Sequence, residues 1–138
     1  MSSKDTKPYG SEVVMDQVLR MRERINTRIF CLAEDAAGAV ANEIAELVST
    51  RAAEGKQTSL CFTVGSVTPG VCEKLVELHK AGKLSFQTVV AFVLDEYLPV
   101  IPNQLQSHRR YMKEVLFDRV DIKPENIHAL DGSIAVGE

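Results

Sequence analysis

Apolar residues along the chain recur at two spacings, and the alternation between them predicts the architecture. Between Glu12 and about Ile25, Val14, Val18, Leu19 and Met21 recur at helical spacing among charges, which predicts a short amphipathic helix. Residues 27–32 (TRIFCL) are dominated by aromatic and β-branched side chains and read as a strand. Next, Ala37, Val40, Ala41, Ile44, Leu47 and Val48 fall on one helical stripe, with Glu34, Asp35, Asn42, Glu43 and Glu46 mostly off it and Gly55 at a natural stop. Residues 59–64 (SLCFTV) are short and mostly apolar, as a buried parallel strand is. A turn-rich stretch, Gly65-Ser66-Val67-Thr68-Pro69-Gly70, leads into a helix carrying Val71, Leu75, Val76 and Leu78. Thr68 is its expected N-cap and Pro69 its first residue, where a missing N–H costs nothing. His79 and Lys80 suit the last turn, and Gly82 suits a left-handed stop. Residues 88–94 (TVVAFVL) form the most hydrophobic strand, ended by Asp95-Glu96-Tyr97. Pro99 and Pro102 bracket the following loop. Ser107 then caps a helix whose apolar face is Tyr111, Met112, Val115, Leu116 and Phe117, and residues 126–130 (NIHAL) give a fourth strand ending at Asp131-Gly132.

Strands alternating with amphipathic helices predict an α/β fold: a mostly parallel sheet with right-handed crossovers and helices on both faces, a three-layer α/β/α arrangement. Residues 1–11 are polar, contain Pro8 and Gly10, and read as a flexible tail ahead of a single domain over 12–138. The 138 residues carry 16 basic and 19 acidic side chains, a net charge of −3, which argues against a nucleic-acid platform. No apolar run is long enough to span a bilayer, and none opens the chain as a signal peptide would, so a cytoplasmic protein is expected. Three cysteines without ligand spacing predict reduced thiols, with Cys31 and Cys61 packed in strands, and neither metal nor cofactor is called for.

In parallel α/β sheets ligands bind beyond the carboxyl ends of the strands, which singles out residues 65–70 and 95–97. The first loop has two glycines, two hydroxyls and a helix start, the means to gather N–H and O–H donors around a phosphate, although it is neither a Walker loop nor GxGxxG. On spacing alone, an ordinary capped helix start with an economical turn is the plainer reading. The second loop places two carboxylates and a phenol at the end of an uncharged strand. A carboxylate there, at the rim of an apolar site, would have its pKa raised towards general-base use, or else Asp95 caps the next turn and Glu96 is solvated. Alternation lets only one of the two face a given ligand. His79 reads as a helix C-terminal residue, His108 as part of a solvated basic cluster with Arg109 and Arg110, and His128 as packed or half-exposed.

The run Leu75-Val76-Glu77-Leu78-His79-Lys80-Ala81-Gly82-Lys83-Leu84-Ser85-Phe86, then Val89-Val90, Asp95-Glu96-Tyr97, Gln106-Ser107, Met112, Phe117-Asp118, Val120-Asp121-Ile122 and Pro124-Glu125-Asn126-Ile127 resembles the glucosamine-6-phosphate deaminase family, and residues 98–107 look closer to its longer bacterial form. The resemblance covers about residues 27–132. It implies a three-layer sugar-phosphate enzyme that converts glucosamine 6-phosphate and water to fructose 6-phosphate and ammonia without metal or organic cofactor. The family's proton-carrying Asp falls on Asp95, and its phosphate loop on Gly65, Ser66, Val67 and Thr68. Two departures accompany it. Aligned without gaps, Val64 and Val67 stand where the family has hydroxyl-bearing residues, whereas a one-residue slip restores Thr68-Pro69 to the family's pair at the expense of the helix register. The chain also stops at Gly137-Glu138, ahead of the family's GxGxxGHxxFNE segment, so the resemblance is to an N-terminal portion, expected to be inactive alone. A 6-phosphogluconolactonase, which has Asp-Glu-Arg at the comparable strand end, is the alternative enzyme, and Tyr97 favours the deaminase. A non-catalytic sugar-phosphate-binding or assembly module is the alternative class. Homo-oligomers, or association through the sheet edge left by a missing half, are the expected protein contacts.

Overall fold

The computed structural model describes residues 12–13, 27–101 and 103–133. The elements follow the chain as β1 (Glu12–Val13), β2 (Ile29–Phe30), α1 (Ala33–Ala53), β3 (Thr58–Phe62), α2 (Thr68–Lys80), β4 (Val89–Val93), α3 (His108–Val115), two 3₁₀ turns (Phe117–Arg119 and Pro124–Asn126) and β5 (Ile127–Ala129). β3, β4 and β5 form a parallel sheet in that order, with Phe62 opposite Val93 and Val93 opposite Ala129. The expected parallel α/β arrangement therefore forms, and no described helix is long and apolar enough to cross a membrane. The expected flexible tail, 1–11, lies outside the described residues.

The N-terminal part departs from expectation. Glu12 and Val13, placed by periodicity in a helix, are a strand paired antiparallel with Phe30 and Ile29; the rest of that predicted helix lies outside the described residues. The strand predicted over 27–32 is only two residues long and stands apart from the parallel sheet. Its neighbours explain why: Arg28 pairs with Glu43 of α1 and lies over the Phe30 ring, 5.2 Å from its centroid, holding this stretch against the outer side of α1.

The pleat sorts side chains cleanly between two faces. Leu60, Phe62, Val89, Ala91, Val93, Ile127 and Ala129 point to one core shared with α1, α2 and α3. At its centre Leu75, Val76, Phe86, Met112 and Leu116 have almost no exposed surface, and Phe62 meets Phe117 edge to face at 6.0 Å. The stripe of α1 is rotated from the one read in the sequence: Ala37, Ala41, Ala45 and Val48 are buried, whereas Val40 and Leu47 are about half-exposed. Small residues win because α1 lies close to α2; a Cβ on Gly70 would stand 3.3 Å from that of Ala37. The other sheet face carries Ser59, Cys61, Phe92, Leu94, His128 and Leu130, all exposed. Of the three expected layers, the described residues supply the sheet and the helices on one side of it. Cys61 consequently sits in a strand but faces outward, Cys31 follows β2 and is exposed, and the buried thiol is Cys72 of α2, pushed up to about 11 by burial. That reverses the expected packing of the cysteines.

Candidate active site at the carboxyl edge of the sheet

Three connections leave the sheet on one edge. The Leu94 N–H donates to the Phe62 carbonyl at 2.9 Å, so residues 63–67 and 94–98 emerge side by side, and the pairing of Val93 with Ala129 brings residues 130–133 beside them. The third connection closes tightly on the second. The Val100 N–H donates to the Gly132 carbonyl at 2.7 Å. A Cβ on Gly132 would overlap the Tyr97 carbonyl oxygen and Val100 Cγ1 and come to 3.0 Å from Glu96 Cγ, so only glycine permits this approach.

Glu96, expected to be solvated in one reading, is the anchor of the edge. Its Oε1 accepts from the main-chain N–H groups of Tyr97 (3.0 Å) and His108 (2.9 Å), and its Oε2 accepts from Ser107 Oγ (2.8 Å) and the Arg109 N–H (3.1 Å). Ser107 is fully buried and also fulfils its expected capping role, accepting from the Arg110 N–H at 3.2 Å. Partial burial alone would raise the Glu96 carboxyl. Donation from Arg109, His108, Ser107 and Tyr97 outweighs it and holds the group below the usual carboxylate range. A raised carboxylate was expected at this strand end; at Glu96 the shift runs the other way, because donors converge on the charged form.

Asp95 points elsewhere, as strand alternation requires. Its Oδ2 lies 2.9 Å from His108 Nδ1, and its side chain is about half-exposed. The His108 side chain is only 14% exposed, with its ring 4.9 Å from that of Tyr97. The solvated basic cluster expected at 108–110 is therefore dismantled: His108 faces Asp95, Arg110 binds Glu114 and the Asn103 carbonyl, and the Arg109 charge helps to lower Asp131, whose main stabilisers are the Ser133 hydroxyl and N–H.

In the 65–68 loop the helix N-cap is Val67, not Thr68, which is the first helical residue with Pro69 second. The Thr68 hydroxyl accepts from the Gly65 N–H (3.2 Å) and donates to the Thr63 carbonyl (2.7 Å), so two of the expected phosphate donors are bound to the loop itself. Ser66 and Val67 remain at the exposed tip, ahead of the 13-residue helix α2. Beside them lies a cleft of about 630 Å³, lined by Val40, Val67 and Val71 but also by Glu73 and Lys74, and the Val67 side chain is itself largely exposed. The structure thus brings the Asp95 and Gly65–Thr68 loops to one edge. Among the described residues no group of His, Cys, Asp or Glu could hold a metal ion.

Two residues take places here that the sequence reading did not assign, Glu96 as anchor of the edge and His108 as the partner of Asp95. One signal was available. Helix α3 opens His108-Arg109-Arg110, three basic residues in a first turn whose free N–H groups favour negative charge, so an anion had to come from outside the helix.

A family model described as glucosamine-6-phosphate isomerases/6-phosphogluconolactonase matches residues 32–136. The glucosamine-6-phosphate isomerase of Candida albicans is 38% identical over 107 residues, covering 78% of this chain and 42% of that protein. Glucosamine-6-phosphate deaminase 2 of Giardia intestinalis is 42% identical over 98 residues, 71% of this chain and 36% of that one. Among solved structures, a monomeric glucosamine-6-phosphate deaminase shares the fold with a TM-score of 0.69 at 24% identity, over 75% of this chain and 41% of its own. The 6-phosphogluconolactonase of Thermotoga maritima gives 0.54 at 26% identity, over 69% and 43%. The chain spans less than half the length of each of these proteins.

Proposed function

The chain belongs to the glucosamine-6-phosphate isomerase/6-phosphogluconolactonase family, and on that premise we propose that it carries the proton-transfer and phosphate-loop portion of a glucosamine-6-phosphate deaminase, the reaction that yields fructose 6-phosphate and ammonia. The observation that carries the reading is the single edge at which Asp95 and the Gly65–Thr68 loop emerge side by side. In the proposed chemistry the Asp95 carboxylate takes the proton from C2 of the opened amino sugar. The electron pair of the broken C–H bond enters an enolamine, and the same proton returns to C1. The resulting imine at C2 is then hydrolysed, giving the ketose and ammonia. Ser66, the main chain of Val67 and the N-terminus of α2 receive the phosphate, with Gly65 and Thr68 fixing the shape of their loop. Tyr97 supports the deaminase over a lactonase. A cytoplasmic location, and a homo-oligomer or contacts between copies through an open sheet edge, accompany this reading.

Ligand-dependent unfolding tests it. A ligand that binds only the folded chain stabilises it by about 2.7 kcal/mol at a hundred times its Kd. Glucosamine 6-phosphate and fructose 6-phosphate are expected to raise Tm, and Ser66→Ala to weaken the effect. A rise with 6-phosphogluconate alone would move the assignment to the lactonase, and no rise with any of the three at millimolar concentration would refute sugar-phosphate binding.

A further inference from the structure

The Asp95–His108 pair has a geometry that goes beyond an ion pair. His108 Nδ1 lies 2.9 Å from Asp95 Oδ2 and 3.3 Å from the Asp95 main-chain oxygen. Both neighbours are acceptors, so the nitrogen between them must carry a proton, whatever the state of the other ring nitrogen. The imidazole is fixed from three sides. The main-chain N–H of His108 donates to Glu96 Oε1 at 2.9 Å, the ring meets Tyr97 at 4.9 Å and 60°, and the residue occupies the first position of α3, directly after the buried cap Ser107. Asp95, by contrast, is about half-exposed, so its second oxygen stays accessible to a ligand.

We propose that His108 is a positioning residue for Asp95: its Nδ1–H holds Oδ2 and fixes the carboxylate rotamer, leaving Oδ1 as the proton-accepting atom. The inference rests on the reading of Asp95 as the base and adds the group that orients it. Glu96 takes part at one remove, because it anchors the main chain of His108. Orientation of this kind matters because proton transfer needs the accepting oxygen held within hydrogen-bond reach of the C–H it attacks.

Ring-nitrogen spectroscopy of the full 138-residue chain tests the pair without requiring turnover. In ¹⁵N-labelled protein at pH 8.5, above the ordinary imidazole range, His108 Nδ1 is expected to show a protonated shift, with the resonance assigned by its loss in His108→Phe. Asp95→Ala, which removes the 2.9 Å acceptor and leaves only the main-chain oxygen at 3.3 Å, is expected to change the Nδ1 shift and move part of the proton population to Nε2. An unprotonated Nδ1 in the wild type, or a spectrum indifferent to Asp95→Ala, would overturn the pairing.

The positioning role is read separately, from deuterium uptake at C1 of the open-chain fraction of fructose 6-phosphate in D₂O, a single proton-transfer step that asks less of this chain than the full deamination it is expected to lack alone. In that step the C1–H bond breaks, its electron pair enters the enediolate, Asp95 gains the proton, and after exchange with solvent a deuteron returns to C1. His108→Phe is expected to slow uptake at least tenfold at unchanged sugar affinity. His108→Asn, whose amide nitrogen can take the place of Nδ1, is expected to stay within about threefold of wild type. Equal rates in wild type and His108→Phe would overturn positioning while leaving the base intact. Absence of exchange in a wild type that binds the sugar and shows the protonated Nδ1 would instead retire Asp95 as the base, and the inference with it.

Discussion

Replacing Glu96 by Ala removes one carboxylate and four hydrogen bonds together, which makes it the sharpest test of how the edge is held. The four do not count equally. Ser107 is fully buried, so its hydroxyl loses a charged acceptor without access to water, a loss of about 1–3 kcal/mol. The N–H groups of His108 and Arg109 stand at a helix N-terminus, where water replaces a lost acceptor in part and the cost is close to that of a deleted cap, about 1 kcal/mol. Loss of negative charge beside the three basic residues of α3 adds about 0.3–1 kcal/mol. The expected destabilisation is therefore about 2–5 kcal/mol, read as a lower urea midpoint at pH 7 with an unchanged m-value. Glu96→Gln keeps the shape and one acceptor oxygen and should lose about half as much. Glu114→Ala, which removes only an exposed i,i+4 pair with Arg110, should cost less than about 0.5 kcal/mol. A Glu96→Ala chain within 0.5 kcal/mol of wild type would refute the reasoning, because the edge would then be held by something other than this carboxylate.

The two faces of the sheet predict opposite tolerances. Leu75→Ala, at a fully buried site, should cost about 2–5 kcal/mol, whereas Leu94→Ser on the open face should cost less than about 1 kcal/mol; similar urea midpoints for the two variants would mean that the open face is covered in solution. Acid should weaken the fold through Asp121. Burial would raise its carboxyl, but the Phe86 N–H, Ser85 Oγ and His79 together lower it below its ordinary 3.8. A depressed carboxylate adds stability that is complete above the unfolded value and is lost as pH falls below it and through the lower folded value, so ΔG should drop as pH falls from about 5 through the carboxylate range, where the unfolded chain takes up the extra proton first. Asp121→Asn should be less stable at pH 7 and show a shallower slope in that window; an identical slope would exclude Asp121 as a contributor.

Physical range explains which features were legible in the sequence. β4 is an uncharged run ended by two carboxylates, so strand, terminus and site candidate are all encoded within ten residues. The Ser107 cap and the left-handed Gly82, at φ 69°, are equally local. What escaped was non-local. Glu96 finds its acceptor role 11 to 13 residues further on, across a proline-bracketed loop, and a capping-box reading would have sought the acid at Arg110. Glu12 and Val13 carry no strand signal of their own and pair with residues 18 and 16 positions away. The rotated face of α1 followed from its closeness to α2, which periodicity cannot show, and the commitment of Thr68 to Thr63 and Gly65 followed from the curl of a turn rather than from its residue types.

The sheet order β3-β4-β5 is also the order of synthesis. Each strand therefore meets its partner already made, and each crossover returns to a core face begun by α1 and β3. Nothing in this region has to wait for a distant segment before its backbone can pair, so loop closure at each step spans only a few dozen residues. A chain laid down this way can gather its hydrophobic centre progressively as it leaves the ribosome, and the carboxyl edge acquires its shape last, when Gly132 arrives against Tyr97 and Val100.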